Sequence, residues 1–252
     1  MYRFSSDADN ILWDALIAAD DHYFEVRVRI DNVYYGQDVL MDMTTELLVF
    51  SDDGPGIGGC IAGQLTLKMR TPSATIPRMA KVEPYVRVCA GAQSSAWMPQ
   101  GKFWIDTRET THNDDGFPVL TLTCYDAMLM AEQIFPSITG GWPRSDVDVV
   151  KIIAKYMGLQ GSVYAATGID QRSLDAMNKG YQISLPASYT LREVLSYIAV
   201  AYAGNWIMNY DGQLLLVTLG GIPPETSLLV DESGNIITYG EDAISLVDTV
   251  SV

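Results

Sequence analysis

The sequence predicts a mainly β protein: an antiparallel sheet of five or more strands curled into a barrel or sandwich, then a smaller mixed α+β part. Three observations carry this. Apolar residues alternate with polar ones through the first half. Clusters of Gly, Asp, Asn and Ser separate the alternating runs. Beyond Asp126 the apolar period lengthens to that of a helix.

The opening stretch MYRFSSDADNILWDALIAADD has one Arg and several acids around a short apolar patch. It reads as an N-terminal helix and not as a secretory leader, which needs a basic start and an unbroken apolar run. Next, Phe24, Val26, Val28 and Ile30 share one strand face, with Tyr23, Glu25, Arg27 and Arg29 opposite. Leu65, Leu67 and Met69 repeat the pattern against Thr66, Lys68 and Arg70. Three more runs follow: KVEPYVRVC (81–89), SSAWMPQGKFWIDTRE (94–109) and PVLTLTC (118–124). In the middle run Phe103, Ile105 and Thr107 are expected on one face, with Lys102, Trp104, Asp106 and Arg108 on the other. Pro84 predicts an edge strand or a bulge, because it cannot donate to a ladder. DDGPGIGG, AGAQSS and HNDDG supply the connections. The expected core is Val26, Val28, Leu65, Leu67, Val86, Val88, Phe103, Ile105, Leu120 and Leu122.

In the second half, Asp126 can cap a short helix that Pro136 stops, and TGGWPRSD reads as a linker. A helix is expected over 146–157, capped by Ser145 and ended by Gly158, with Val149, Ile152, Ile153 and Tyr156 on one face. Residues 159–188 read mostly as loop, with a helical turn near 173–178. A second helix over 191–203 begins at a Thr190–Glu193 capping box and stops at Gly204. NWIMNY-DG-QLLLVTL then reads as a hairpin, with Asp-Gly expected at the two positive-φ positions of a type I′ turn. A further strand pair is expected around DESGN (231–235). The chain thus divides into 1–137, a β domain with an N-terminal helix; 138–222, a small α+β domain; and 223–252, an acidic β segment.

Among 252 residues there are 31 acids and 16 bases, for a net charge of −15. Such a chain repels phosphate backbones and shows no basic footprint for nucleic acid. After Arg192 there is no Lys or Arg, while Glu193, Asp211, Glu225, Asp231, Glu232, Glu241, Asp242 and Asp248 follow. This is either a solvating surface or a face for a basic partner. No apolar run reaches the ~18–20 residues of a membrane helix. Cys60, Cys89 and Cys124 lie in apolar stretches and read as buried hydrophobes in a reducing compartment.

The search for chemistry yields no catalytic, cofactor-binding or metal residue. His22 and His112 lack a second ligand at metal spacing. GPGIGG (54–59) lacks the Lys-Ser/Thr of a phosphate loop and does not open a helix. Asp52–Asp53 and Asp114–Asp115 precede Gly and read as turn residues before acid–base pairs or calcium ligands. Trp97, Trp104, Trp142 and Trp206, with fourteen Tyr, could line a sugar cleft, although core filling and protein contact are commoner fates.

Taken in order, GGCIAGQLTLKM, IPRMAKVEPYVRV, WMPQGKFWIDTRE, LTLTCYDAMLMAEQ and YTLREVLSYIAVAYAGNWIMNYDGQLLLVTL resemble the prophage tail proteins of Gram-positive bacteria. These are similar to baseplate hubs and to the N-terminal hub region of tail-associated lysins. The resemblance implies a tail-tube-like β-barrel followed by a small mixed domain, and a structural, non-enzymatic role in the virion tail without cofactor. It further implies a trimeric ring joining the tube to the tip, in contact with tube, tape-measure and tip proteins. Only one complete barrel fits, where many hubs carry two; 223–252 would begin an incomplete second one. The alternative is a carbohydrate-binding β-module at a tail tip; a hydrolase built on the Asp pairs is a more distant third.

Overall fold

Each alternating run becomes a strand. The computed structural model describes residues 4, 6–50, 56–70, 76–112, 116–138, 140–218, 238–239 and 242–243. Helix α1 (Asp7–Ile17), capped by Ser6, precedes β1 (Tyr23–Ile30), β2 (Val33–Tyr35), β3 (Leu40–Glu46), β4 (Gln64–Met69) and β5 (Lys81–Ala90). Two short strands, β6 (Gln93–Ser94) and β7 (Met98–Pro99), lead to β8 (Phe103–His112) and β9 (Pro118–Asp126). All nine strands join one antiparallel sheet along the path β2-β1-β5-β8-β9-β4-β3, with β6 and β7 on β5. A closed barrel is not found. Closure requires the first and last strands to pair, and β2 and β3 end the path without pairing to each other among the described residues.

Val28, Leu65, Leu67, Val88, Phe103, Ile105, Leu120 and Leu122 are buried as the alternation predicts, whereas Val26 and Val86 are half-buried. Those two are cross-strand partners in the β1–β5 ladder.

Two local departures have identifiable causes. The β8–β9 register shifts between Ile105 and Thr107. This bulge inverts the expected alternation: Thr107 is exposed, while Arg108 pairs with buried Leu122 and donates to the Ile76 carbonyl at 2.9 Å. Pro84 lies in an interior strand, not at an edge. Its carbonyl accepts from Gln100 N–H, between the β8 pairing at Lys81–Val82 and the β7 pairing at Tyr85–Val86. A strand residue's N–H and C=O point to the same side, so the missing donor falls at a break in the ladder.

A 3-10 turn (Ala127–Glu132), capped by Asp126, leads to β10 (Arg144–Ser145) and α2 (Asp146–Tyr156). Then come α3 (Gln171–Ala176), β11 (Gln182–Ile183), α4 (Leu191–Ala201), β12 (Gly204–Met208) and β13 (Leu214–Thr218). Ser145 caps α2, and the Thr190–Glu193 box closes in both directions. Thr190→Ala is expected to lower stability by about 1 kcal/mol; an unchanged denaturation midpoint would contradict this. The buried stripes of α2 and α4 meet Trp206, Met208, Leu214 and Leu216 of the β12–β13 hairpin in one cluster.

The α4 stop differs from expectation. Ala203 takes the left-handed position (φ 49°), and Gly204 already belongs to β12. Gly204 is required there because a Cβ would stand 2.5 Å from the Val217 carbonyl oxygen. The hairpin turn also differs. Only Gly212 has positive φ (70°), and Gly212 N–H donates to Asn209 C=O. The loop is therefore a type I turn followed by a left-handed Gly, held by the Asn209 side chain, which accepts from Asp211 and Gln213 N–H. The expected strand pair at 231–235 lies outside the described residues; a short pair is described at β14 (Thr238–Tyr239) and β15 (Asp242–Ala243).

Between β3 and β4 the chain leaves the large sheet. Cys60 bridges Trp206 in parallel; Gly58 N–H donates to Gly204 C=O, Trp206 N–H to Gly59 C=O, and Ile61 N–H to Trp206 C=O. Asn205 fixes this excursion, accepting from Gly59 N–H and donating to the Val49 and Gly56 carbonyls. Arg192 on α4 donates to the carbonyls of Cys60 and Met128. The β3–β4 connection thus lies along β12 as an extended segment, joining the first sheet to the second cluster.

Candidate functional site

Among the described residues, those singled out for chemistry do not converge. His22 is exposed and bonded to the Ala19 carbonyl, and His112 is exposed at the end of β8. Cys60, Cys89 and Cys124 are buried free thiols. Burial pushes Cys60 and Cys124 up to about 12, so neither is a thiolate near neutral pH. Asp52, Asp53, Asp114 and Asp115 lie outside the described residues, as do Glu225, Asp231, Glu232, Glu241 and Asp248. No group of three metal-ligating side chains occurs among the described residues, and no described helix is long and apolar enough to cross a membrane.

Nor do the tryptophans form a platform. Trp206 is fully buried and donates to the Leu195 carbonyl at 3.0 Å. Trp104, expected on the polar face of its strand, packs against the second cluster. Trp142 meets Phe135 edge-on at 5.9 Å. Trp97 lies beneath two guanidinium groups, those of Arg27 (4.2 Å) and Arg87 (4.6 Å).

Two other surfaces stand out. The first is an apolar groove of about 320 Å³ between α4 and the segment 181–189, lined by Tyr181, Leu185, Pro186, Tyr189, Tyr197 and Tyr202. From α4 it takes Val194 and Ile198 of the buried stripe together with exposed Tyr197. Its buried acid, Asp146, is occupied by Tyr202 O–H at 2.5 Å and Val147 N–H at 2.8 Å. Burial first, then this bond, pushes the Tyr202 phenol up. The groove offers contact area and no nucleophile–base pair.

The second surface is the outer face of β1 and β5. Register places Glu25 opposite Arg87, Arg27 opposite Tyr85, and Arg29 opposite Glu83. Arg87 Nε donates to Glu25 at 2.7 Å, and Arg29 Nε to Glu83 at 2.6 Å, with Lys81 also on Glu83 at 2.6 Å. Burial alone would raise Glu83, but Lys81 and Arg29 outweigh it and hold the carboxyl below its usual range. Its stabilisation is therefore present above the unfolded carboxylate pKa of about 4.3 and is lost as pH falls below it. Glu83→Gln is expected to cost about 1–3 kcal/mol at pH 7, a difference that closes on acidification. A difference unchanged between pH 7 and pH 3 would contradict it.

No protein-family model matches the sequence, and comparison with curated proteins finds no relative. Solved structures do match. A tail protein from Neisseria meningitidis MC58 superposes with a TM-score of 0.51 at 12% identity, covering 85% of this chain and 53% of that one. The fold is similar to that of a solved tail protein. The 43 kDa tail protein of prophage MuSo2 from Shewanella oneidensis gives 0.46 at 12% identity, covering 77% of this chain and 54% of that one. The chain thus spans just over half the length of the tail proteins it matches.

Neither surface was singled out by sequence reasoning. The alternation did place Arg27 and Arg29 on the polar face of β1. What it lacked was the strand register that shows which arginine meets an acid.

Proposed function

We propose that this protein is a structural, non-enzymatic component of a phage or prophage-derived tail, acting at the hub that joins the tail tube to its tip. One observation carries the reading: likeness to the Neisseria meningitidis tail protein extends over 85% of the chain. The ordered sequence resemblance to hubs of Gram-positive prophages points the same way. In this reading the large sheet is the counterpart of a tube-like barrel, assembled with neighbours in a trimeric ring. Tube, tape-measure and tip proteins are the partners, and the acidic stretch after Arg192 faces a lumen or a basic neighbour.

The test is a reconstruction of the tail particle, with pull-downs of tube, tape-measure and tip proteins at low and high salt. The chain is expected in the particle, with contacts that weaken as salt shortens the screening length to ~3 Å at 1 M. Absence from the particle together with no binding at either salt would overturn the tail reading. Specific glycan binding in that case would favour the carbohydrate-binding alternative.

A further inference from the structure

The outer face of β1 and β5 carries three consecutive cross-strand pairs, and the middle one breaks the pattern. Arg87 and Arg29 each meet a glutamate, while Arg27 meets Tyr85. Among the described residues Arg27 has no hydrogen-bond or ion-pair partner, and its Nε is buried without an acceptor. The guanidinium is held by stacking alone: its carbon lies 4.2 Å from the Trp97 ring centre, 4.6 Å from Tyr34 and 5.3 Å from Tyr85. It opens onto a pocket of about 270 Å³ lined by Glu25, Tyr34, Gly36, Gln37 and Trp97. A guanidinium left without an acceptor takes a planar oxyanion in a forked pair of hydrogen bonds.

We infer that Arg27 and its aromatic cage form a receptor for one carboxylate side chain, delivered by an acidic segment of a neighbouring protein subunit. Charge decides between oxyanions. Glu25 already neutralises Arg87, and Glu83 neutralises Arg29. Lys81 shares Glu83 and stands outside the pocket, so Arg27 is the one cation among the pocket's lining residues; that matches a carboxylate, whereas a phosphate dianion would need a second cation. The aromatic faces decide between a protein and a sugar acid. Trp97 and Tyr34 already carry guanidinium on their rings, so little ring face is left for stacking a pyranose. An extended protein segment also has access from the side, because β2, beside β1, is an end of the sheet path with Val33 and Tyr34 exposed. This chain's own sequence beyond Arg192 contains such acidic segments.

The probe is a peptide with the sequence of residues 239–248 (YGEDAISLVD), titrated into the full ¹⁵N-labelled chain. The readout is the Arg27 Nε–H signal, assigned by its loss in Arg27→Lys. Saturable shifts are expected from the acidic peptide. Binding at least tenfold weaker is expected when its acids are replaced by Asn and Gln. Tyr85→Glu supplies an internal carboxylate like those of the flanking pairs, so it should abolish the shift while leaving the melting temperature as high or higher. Arg27→Lys keeps the charge but loses the fork; peptide binding to it, followed by calorimetry, should be at least tenfold weaker. The inference is overturned by an Arg27 signal that ignores the acidic peptide, or by equal binding of the amide peptide. Glucuronate or inorganic phosphate binding as tightly as the peptide would also overturn it, as would unchanged peptide binding in a folded Tyr85→Glu or Arg27→Lys chain.

Discussion

Trp206→Ala is expected to lower stability by about 3–5 kcal/mol, the range for deleting a large aromatic side chain from a packed core. Trp206 is fully buried, the largest such side chain described. It sits on β12 between Leu216 of β13 and the extended segment 58–61, with its indole N–H on the Leu195 carbonyl of α4. Three elements therefore face the cavity, and the bonds of Trp206 N–H and C=O to Gly59 and Ile61 hold its walls apart. Trp206→Phe keeps most of the volume and should cost less than half as much. Urea unfolding followed by far-UV circular dichroism measures both. A loss under 1 kcal/mol in the alanine variant, well below the usual range, would mean the segment 58–61 is not anchored here.

Asp126→Ala is expected to cost about 2–5 kcal/mol at pH 7, because two buried N–H groups lose their acceptor at once. Asp126 Oδ2 accepts from Gly63 at 2.6 Å and Oδ1 from Met128 at 2.9 Å, so one side chain ties the start of β4 to the turn after β9. Asparagine cannot replace it, since its amide nitrogen would face one of these donors. The pH dependence is the inverse of the usual carboxylate case. Burial raises the Asp126 pKa from 3.8 to about 6, against the lowering effect of the two backbone bonds and Arg192. The folded state therefore holds a proton that the unfolded state releases. Its contribution is full below about pH 4 and falls as pH rises toward 6, by roughly 3 kcal/mol at 1.36 kcal/mol per unit. It levels off above that. Relative to Asp126→Ala, the advantage of the native chain should shrink from pH 4 to pH 6.5; an advantage that grows over that range would contradict the assignment. Glu83 works with the opposite sign, so Glu83→Gln and Asp126→Ala separate the two titrations.

What the sequence determined by itself was the local structure. Side-chain alternation has a fixed period in a strand and a cap has a fixed spacing in a helix, so both can be read without knowing any partner. The strands around Val28, Leu65, Phe103 and Leu120 follow from that, as do the caps at Ser145 and Thr190. Only the tertiary structure decided what depends on a second chain segment. The bulge after Ile105 reverses Thr107 and Arg108 because the partner strand β9 fixes the count. Pro84 sits in an interior strand because the ladder beside it happens to break. Gly204 is needed for the approach of Val217, not for the helix stop. The open path from β2 to β3 is settled by which edges find partners. Arg27 differs from Arg29 and Arg87 only through what stands across from it on β5. The β1–β5 pairing joins residues about sixty positions apart, and the energy that selects one register is shared over the whole interface. No single stretch of sequence records it.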